Sequence, residues 1–306
     1  MMLGKEYNTI IDVVQAFPDK KTCIIYLEKL LWNSEIPISP FDSSSKVYKC
    51  KNNRYKCKNS GKYFNVLHGT IFENTNLSLQ KWFVAIWLVT SNKKGISSLQ
   101  LARDLNITQK SSWFMLHRIR YAFKVDTDKL QNEVEIDETY VGGKNKNRHA
   151  NKKVPNSQGR SHVDKTPVLG MIERNGKIKA TVVKNVRGKT LIPEIEKVVK
   201  QGTTIYTDEW RAYGQLYKLY NHKYVKHNVG EYVNGRVHTN TIEGFWSLLK
   251  RSIMGMYHFV SRKHLQRYVD AMVFIYNNRN LNQNQRFNMA FLNVGSRLTY
   301  KDLINK

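Results

Sequence analysis

The sequence predicts an α/β protein in which a mixed sheet with flanking helices is preceded by a largely α-helical region. Three observations predict it. Residues 133–229 hold short β-branched and aromatic runs interrupted by helical stretches. Residues 8–32 and 78–123 carry apolar residues at helical spacing. The 306 residues, 41% of them hydrophobic, suffice for two or three folded units, because single cores stop growing near about 250–300 residues.

In chain order, residues 1–37 form a helical lead, its faces marked by Ile10, Val13 and Val14 and then by Ile25, Leu27, Leu30 and Leu31. Residues 38–75, with the run KVYKCKNNRYKCKNSGKYF, are rich in Lys, Tyr, Asn and Gly, which predicts short strands and tight turns. Residues 76–125 turn helical again. There ISSLQLARDL gives a short helix, LNI a turn, and Thr108 an N-cap for a helix from Gln109 to Phe123, with Trp113, Leu116 and Ile119 or Arg120 on its faces. This pattern suits a helix-turn-helix whose Gln109, Lys110, Ser111 and Ser112 stand where base edges are read. A helical hairpin used for packing is the alternative, and the basic charge of the chain tips the reading to DNA. The stretch KVDTDKLQN then marks a domain boundary.

Residues 130–285 read as one domain, with 286–306 left as a tail. Three strands in succession (EVEIDETYVGG, PVLGMIER, KIKATVVKN) precede a helix, GKTLIPEIEKVVKQG, and further strands, TTIYTDEW and KYVKHNV, follow it. Two strands carry acids, Asp137 and Asp208. A third acid, Glu243, sits on the helix HTNTIEGFWSLLKR, where Ile242, Phe245, Trp246, Leu249 and Ile253 define a buried face and Glu243, Ser247 and Lys250 run along its margin. That geometry predicts a carboxylate at the border of the core. A later helix, HLQRYVDAMVFIYNNR, reads as packing or as a subunit interface.

Lys and Arg number 50 against 24 Asp and Glu, a net charge of +26, which favours a polyanionic partner over a neutral small molecule. Simple basicity without catalysis is the alternative. The N-terminus has no basic segment leading into an apolar run, and the most apolar window, KWFVAIWLVT, is too short to cross a bilayer, so the reading is cytoplasmic with no membrane partner. Three cysteines, Cys23, Cys50 and Cys57, do not make a disulfide framework.

Three acids converging from two strands and a helix would form a hard, oxygen-only site suited to Mg²⁺ or Mn²⁺, two ions of which can serve an in-line phosphodiester displacement. Each acid has a local alternative. Asn240 and Glu243 have the spacing of a capping box, Asp208 could cap the EWRAY turn, and Glu135 or Glu138 could take the role of Asp137.

Taken in order and spacing, EIDETYVGGKNKNRH, QGRSHVDKTPVLGMIER, YTDEWRAY and HTNTIEGFWSLLKRSIMGMYHFVS resemble the DDE-type insertion-sequence transposases of the ISXO2-like group, over nearly the whole chain. The resemblance implies a ribonuclease H-like catalytic domain behind a zinc ribbon and a helix-turn-helix. It implies Asp137, Asp208 and Glu243 as the metal-binding catalytic triad with two Mg²⁺ or Mn²⁺ ions, and Lys250 as the catalytic basic residue that follows the glutamate and faces DNA near the cut; His238 and Asn240 match the same motif as DNA-binding residues. It implies double-stranded DNA, both element ends and target, as partner, nicking at terminal inverted repeats followed by attack of the freed 3′-hydroxyl on target DNA, and a homo-oligomer on paired ends in a bacterial, nucleoid-associated setting. A structure-selective nuclease and a catalytically silent DNA-binding protein are the competing readings.

The ribbon departs from the family pattern. Where two Cys-x-x-Cys knuckles are usual, this chain has Ser39-Pro40-Phe41-Asp42 and Cys57-Lys58-Asn59-Ser60. One ligand of four does not hold structural zinc, so the expectation is either a zinc-free hairpin held by Tyr48, Tyr55, Tyr63, Phe64 and neighbours or a partly disordered segment. Finally, residues 144–165 hold seven Lys/Arg against one Asp. Lys144, Arg148, Lys152, Lys153 and Arg160 are candidates to neutralise DNA phosphates, against the alternative of a solvated loop.

Overall fold

The structure, a computed structural model, describes residues 6–32, 36–123, 128–142, 149–155, 165–225, 233 and 235–305. It divides into two compact units, one comprising Met1–Val125 with Asn280–Lys306 and the other Asp126–Arg279.

The first unit begins with helices α1 (Ile10–Ala16) and α2 (Lys20–Trp32). Thr9 and Asp12 close a capping box at the start of α1. Strands β1 (Val47–Cys50), β2 (Arg54–Cys57) and β3 (Tyr63–Phe64) form a small antiparallel sheet in that order. The β1–β2 turn places Asn52 and Asn53 at φ 59° and 53°, a left-handed pair that asparagine tolerates.

Alternation along these strands sends Tyr55 and Phe64 inward with Val47, while Tyr48 and Tyr63 are exposed. The expectation that all four aromatic residues hold the hairpin is therefore corrected: Trp32 and Phe41 pack there instead. Lys46 lies over the outward Tyr48 ring, and Arg54 and Lys56 lie over Tyr63. The two knuckle segments are tied by hydrogen bonds, Asn59 Nδ2 to Asp42 at 2.8 Å and the Asn59 amide to Ser45 Oγ at 3.0 Å. The hydroxyls of Ser39, Ser45 and Ser60 surround the Cys57 thiol and draw it down to about 6. Elemental analysis of purified protein is expected to find zinc well below one per chain; one zinc per chain would overturn the expectation.

Helices α3 (Leu79–Ser91), α4 (Ser98–Leu105) and α5 (Gln109–Ala122) follow. Asn106 ends α4 in a left-handed C-cap at φ 48°, and the Thr108 side chain accepts from the Ser111 amide to start α5. Gln109 and Lys110 are exposed, with Lys110 over the Tyr300 ring, and Ser112 is buried.

The second unit is built on strands β4 (Glu133–Val141), β5 (Thr166–Glu173), β6 (Ile178–Val182), β7 (Thr204–Asp208) and β8 (Asn221–Val225), with helix α6 (Gly188–Val198) before β7. The sheet order is β6-β5-β4-β7-β8. β5 is antiparallel to β4 and to β6, and β7 and β8 run parallel to β4. Period-two alternation splits β4 between two faces. Val134 and Ile136 join Leu169, Leu191, Ile195 and Ile205 in a core on one side. Glu135, Asp137 and Thr139 point to the other, which is covered by α7 (Asn240–Ser252). After a π-helical turn at Ile253–Tyr257, α8 (Leu265–Asn277) packs along edge strand β6. There Asn277 and Gln266 accept from the Ile178 and Val182 amides at 2.8 and 2.7 Å, occupying donors that an open sheet edge leaves unpaired.

The chain beyond α8 is not a tail. Helices α9 (Gln283–Leu292) and α10 (Tyr300–Ile304) belong to the first unit, because Phe287 and Phe291, one turn apart, are fully buried against Tyr26, Phe72 and Phe83. Among the described residues, no helix is long and apolar enough to cross a membrane.

Candidate functional site

The parallel register of β4 and β7 pairs Glu135 with Tyr206. Two residues beyond this last pair come Asp137 on β4 and Asp208 at the end of β7. Helix α7 crosses this end of the sheet and brings Glu243. The three acids, with Glu138, Thr139, Trp246, Ser247 and Lys250, line one open cavity of about 310 Å³.

Each acid is held differently. Asp137 accepts a hydrogen bond from the Trp246 indole at 3.0 Å. Burial pushes its carboxyl up from 3.8 to about 6, helped by the charges of Asp208 and Glu243 and opposed by hydrogen bonds from the Glu138 amide and Trp246. Asp208 is buried and accepts from the Trp210 amide at 3.0 Å, so one of its oxygens serves the turn that follows β7. Glu243 is exposed, not held at the core border as its helix position suggested, and accepts from the Thr239 hydroxyl at 3.1 Å. Among the described residues, no three His, Cys, Asp or Glu side chains stand close enough to hold a metal ion as placed. Burial first, and the like charges of Asp208 and Glu243 after it, make Asp137 hold its proton more tightly than a carboxyl in water.

The other candidates divide. Lys250 lines the cavity two turns beyond Glu243, about 10 Å along the helix. Asn240 is the exposed first residue of α7 and caps nothing, so no capping box with Glu243 forms. His238 lies away from the cavity lining, its Nδ1 3.3 Å from Glu135 and its carbonyl accepting from Arg174. Exposed Lys153 follows a short 3-10 turn, Ala150–Lys152, whose last residue is Lys152. Lys144, Arg148 and Arg160 lie outside the described residues. Gln109, Lys110 and Ser111 occupy the first turn of α5 in the other unit.

Three residues matter here in roles the sequence did not indicate. Gly170 of β5 pairs with Asp137, and a β-carbon on it would sit 2.5 Å from the Trp246 ring. Trp246 itself, assigned to the buried face, doubles as the donor to Asp137. Glu135 neither replaces Asp137 nor lines the cavity; it is fully buried and accepts from the start of α7. Its signal in the sequence was a charge within an apolar strand at the same parity as Asp137.

The elevated Asp137 has a consequence for stability. A carboxyl whose folded value exceeds its unfolded one favours folding most at low pH, and that contribution is lost as pH rises from 3.8 to about 6. At neutral pH the ionised group costs up to about 3 kcal/mol. Asp137→Asn is therefore expected to raise the Tm of metal-free protein at pH 7 and to leave it unchanged near pH 4; a lower Tm at pH 7 would contradict this.

The comparisons with known proteins agree with these motifs. Residues 129–277 match the ISXO2-like transposase domain. A protein of Halobacterium salinarum described as an uncharacterized protein in transposable element ISH50 is 32% identical over 230 residues, 71% of this chain and 76% of its own length. An uncharacterized transposase-like protein of Haemophilus influenzae is 28% identical over 103 residues, 33% of this chain and 82% of its own. With a relative of that identity aligned across most of both chains and the domain match covering the sheet and α7, this chain belongs to the ISXO2-like transposase family.

Proposed function

We propose that this transposase binds the terminal inverted repeats of its element and catalyses metal-dependent DNA strand cleavage and strand transfer, with Asp137, Asp208 and Glu243 as metal-binding residues and Lys250 facing the DNA. The observation that carries the proposal is the meeting of these four side chains in one cavity, from two strands and a helix.

The donor set suits two hard divalent cations, Mg²⁺ or Mn²⁺, since every candidate ligand is a carboxylate oxygen. Such ions would supply a more acidic attacking water or hydroxyl and offset the charge gathering on the phosphate. Asp137, with its carboxyl at about 6, is largely ionised at neutral pH and available as an anion. Trp246 keeps one Asp137 oxygen oriented at the wall of the cavity. Lys250 contributes a cation where a phosphate would enter. No covalent protein intermediate is needed, because one phosphodiester is exchanged for another.

DNA contacts are proposed for Gln109, Lys110 and Ser111, exposed or half-buried at the start of α5 after a tight turn. The same role is proposed for His238 and Asn240 beside α7, and for Lys144, Arg148, Lys152, Lys153 and Arg160 in the basic 144–165 segment. The second unit, a mixed sheet with helices on both faces, supports the ribonuclease H-like reading. Labelled duplexes ending in the inverted repeats, incubated with Mg²⁺, test the proposal. Cleavage followed by joining to target supports it, hydrolysis without joining favours the nuclease, and binding with neither favours the silent DNA-binding protein.

A further inference from the structure

We propose that Glu135 is a positioning residue for this cavity, one that clamps the first turn of α7 to the sheet and so sets where Glu243 stands relative to Asp137. The inference rests on the function proposed above.

Helix α7 begins without a side-chain cap of its own: its N-cap residue, Thr239, makes no capping bond. The orphan amides of a first helical turn need acceptors when buried. Glu135 of β4, with no solvent exposure, supplies them from the face that α7 covers. Its Oε2 accepts from the Thr241 amide at 2.9 Å and the Ile242 amide at 3.1 Å. Its Oε1 accepts from the Thr241 hydroxyl and from Arg174 Nε, both at 2.9 Å. Arg174 lies over the Tyr206 ring and donates to the His238 carbonyl, so the segment leading into α7 is held as well. A carboxylate at a helix N-terminus also meets the positive end of the helix dipole.

The spacing turns this anchor into a ruler. Glu135 and Asp137 lie two residues apart on one face of β4, about 6.7 Å. Their α7 partners, Thr241 and Trp246, lie five residues apart, about 7.5 Å along the helix. The two rises match, so α7 is pinned to β4 at two points, and Glu243 projects from the stretch between them. If the first pin is lost, the second remains as a pivot, and the carboxylate nearest the loosened end is Glu243.

A purely structural buried ion pair would have a different signature, and three measurements separate the two. Glu135→Gln keeps the side chain's shape but presents an amide donor to groups that need acceptors. Expected are faster hydrogen exchange over residues 238–246, Mn²⁺ binding by electron paramagnetic resonance weakened about 10–100-fold, and a comparable fall in cleavage kcat. Wild-type Mn²⁺ affinity and wild-type kcat in a folded Glu135→Gln protein would overturn the proposal. So would a lowered Tm with normal kcat and Mn²⁺ affinity per folded molecule. Should Glu135→Gln not fold, Thr241→Val removes one donor while leaving the Glu135–Arg174 pair. It is expected to change exchange and Mn²⁺ affinity in the same direction by a smaller factor, and no change in either would sink the idea. A wild-type protein that neither binds Mn²⁺ nor cleaves would instead refute the underlying function, so the two failures are distinct.

Discussion

Asp137→Ala, Asp208→Ala and Glu243→Ala proteins are each expected to lose strand cleavage while still binding the element's ends. Under the proposed function all three carboxylates are needed for the same pair of ions, so the loss should be total within assay limits and not graded with stability. The stability effects should in fact differ in sign. Asp137 is strained by burial and by its acidic neighbours. Asp208 gives a hydrogen bond partner to the Trp210 amide, which its removal leaves wanting. Glu243 is exposed and engages the Thr239 hydroxyl, so its truncation should cost little. Activity that disappears in a variant as stable as the parent is the result that marks the cavity as chemical; gel-based cleavage alongside end binding and thermal melting reads all three. Normal cleavage by any one variant would remove that residue from the site.

Gly170→Ala is expected to be nearly as damaging to activity although the glycine carries no chemistry. Glycine inside a strand marks a close approach. Here a β-carbon would meet Trp246 Cζ2 and Cη2 at 2.5 Å and Ile242 Cδ1 at 3.0 Å. Neither neighbour has room to retreat: Trp246 is 4% exposed and Ile242 fully buried. Overpacking of this kind costs about 1–3 kcal/mol, with each kcal/mol worth roughly 2–4 °C of Tm for a unit of this size. The indole would be pushed from the position in which it donates to Asp137. A lower Tm together with loss of cleavage in the protein that remains folded is the expected pair of results. Unchanged cleavage at unchanged Tm would mean that α7 is not seated on β5 as described.

Much of this was legible in the residues. The ordered motifs around Asp137, Asp208 and Glu243 carried the family, because their spacing and composition are specific. Local chemistry carried the helix boundaries, as at Thr108, where a cap side chain and a left-handed Asn106 bracket the turn. What escaped depended on contacts distant in sequence. That Glu135 would be spent on the amides of residues 241 and 242 is set by the packing of α7, more than a hundred residues away. The seating of Phe287 and Phe291 against Phe83 likewise turns an apparent tail into part of the first unit. The outward aromatics of the small sheet escaped for a simpler reason: Tyr48 and Tyr63 have the same composition signal as Tyr55 and Phe64, and strand parity alone separates them.

The central claim is that one cavity of this protein cuts and rejoins DNA with the help of divalent cations. Incubation of the full chain with Mg²⁺, a supercoiled target plasmid and labelled duplexes carrying the DNA ends that flank its gene tests it most directly. The account predicts label covalently joined to the plasmid, dependent on the cation and absent with Glu243→Ala. Ends that are bound but neither nicked nor joined, at any Mg²⁺ or Mn²⁺ concentration, would contradict it.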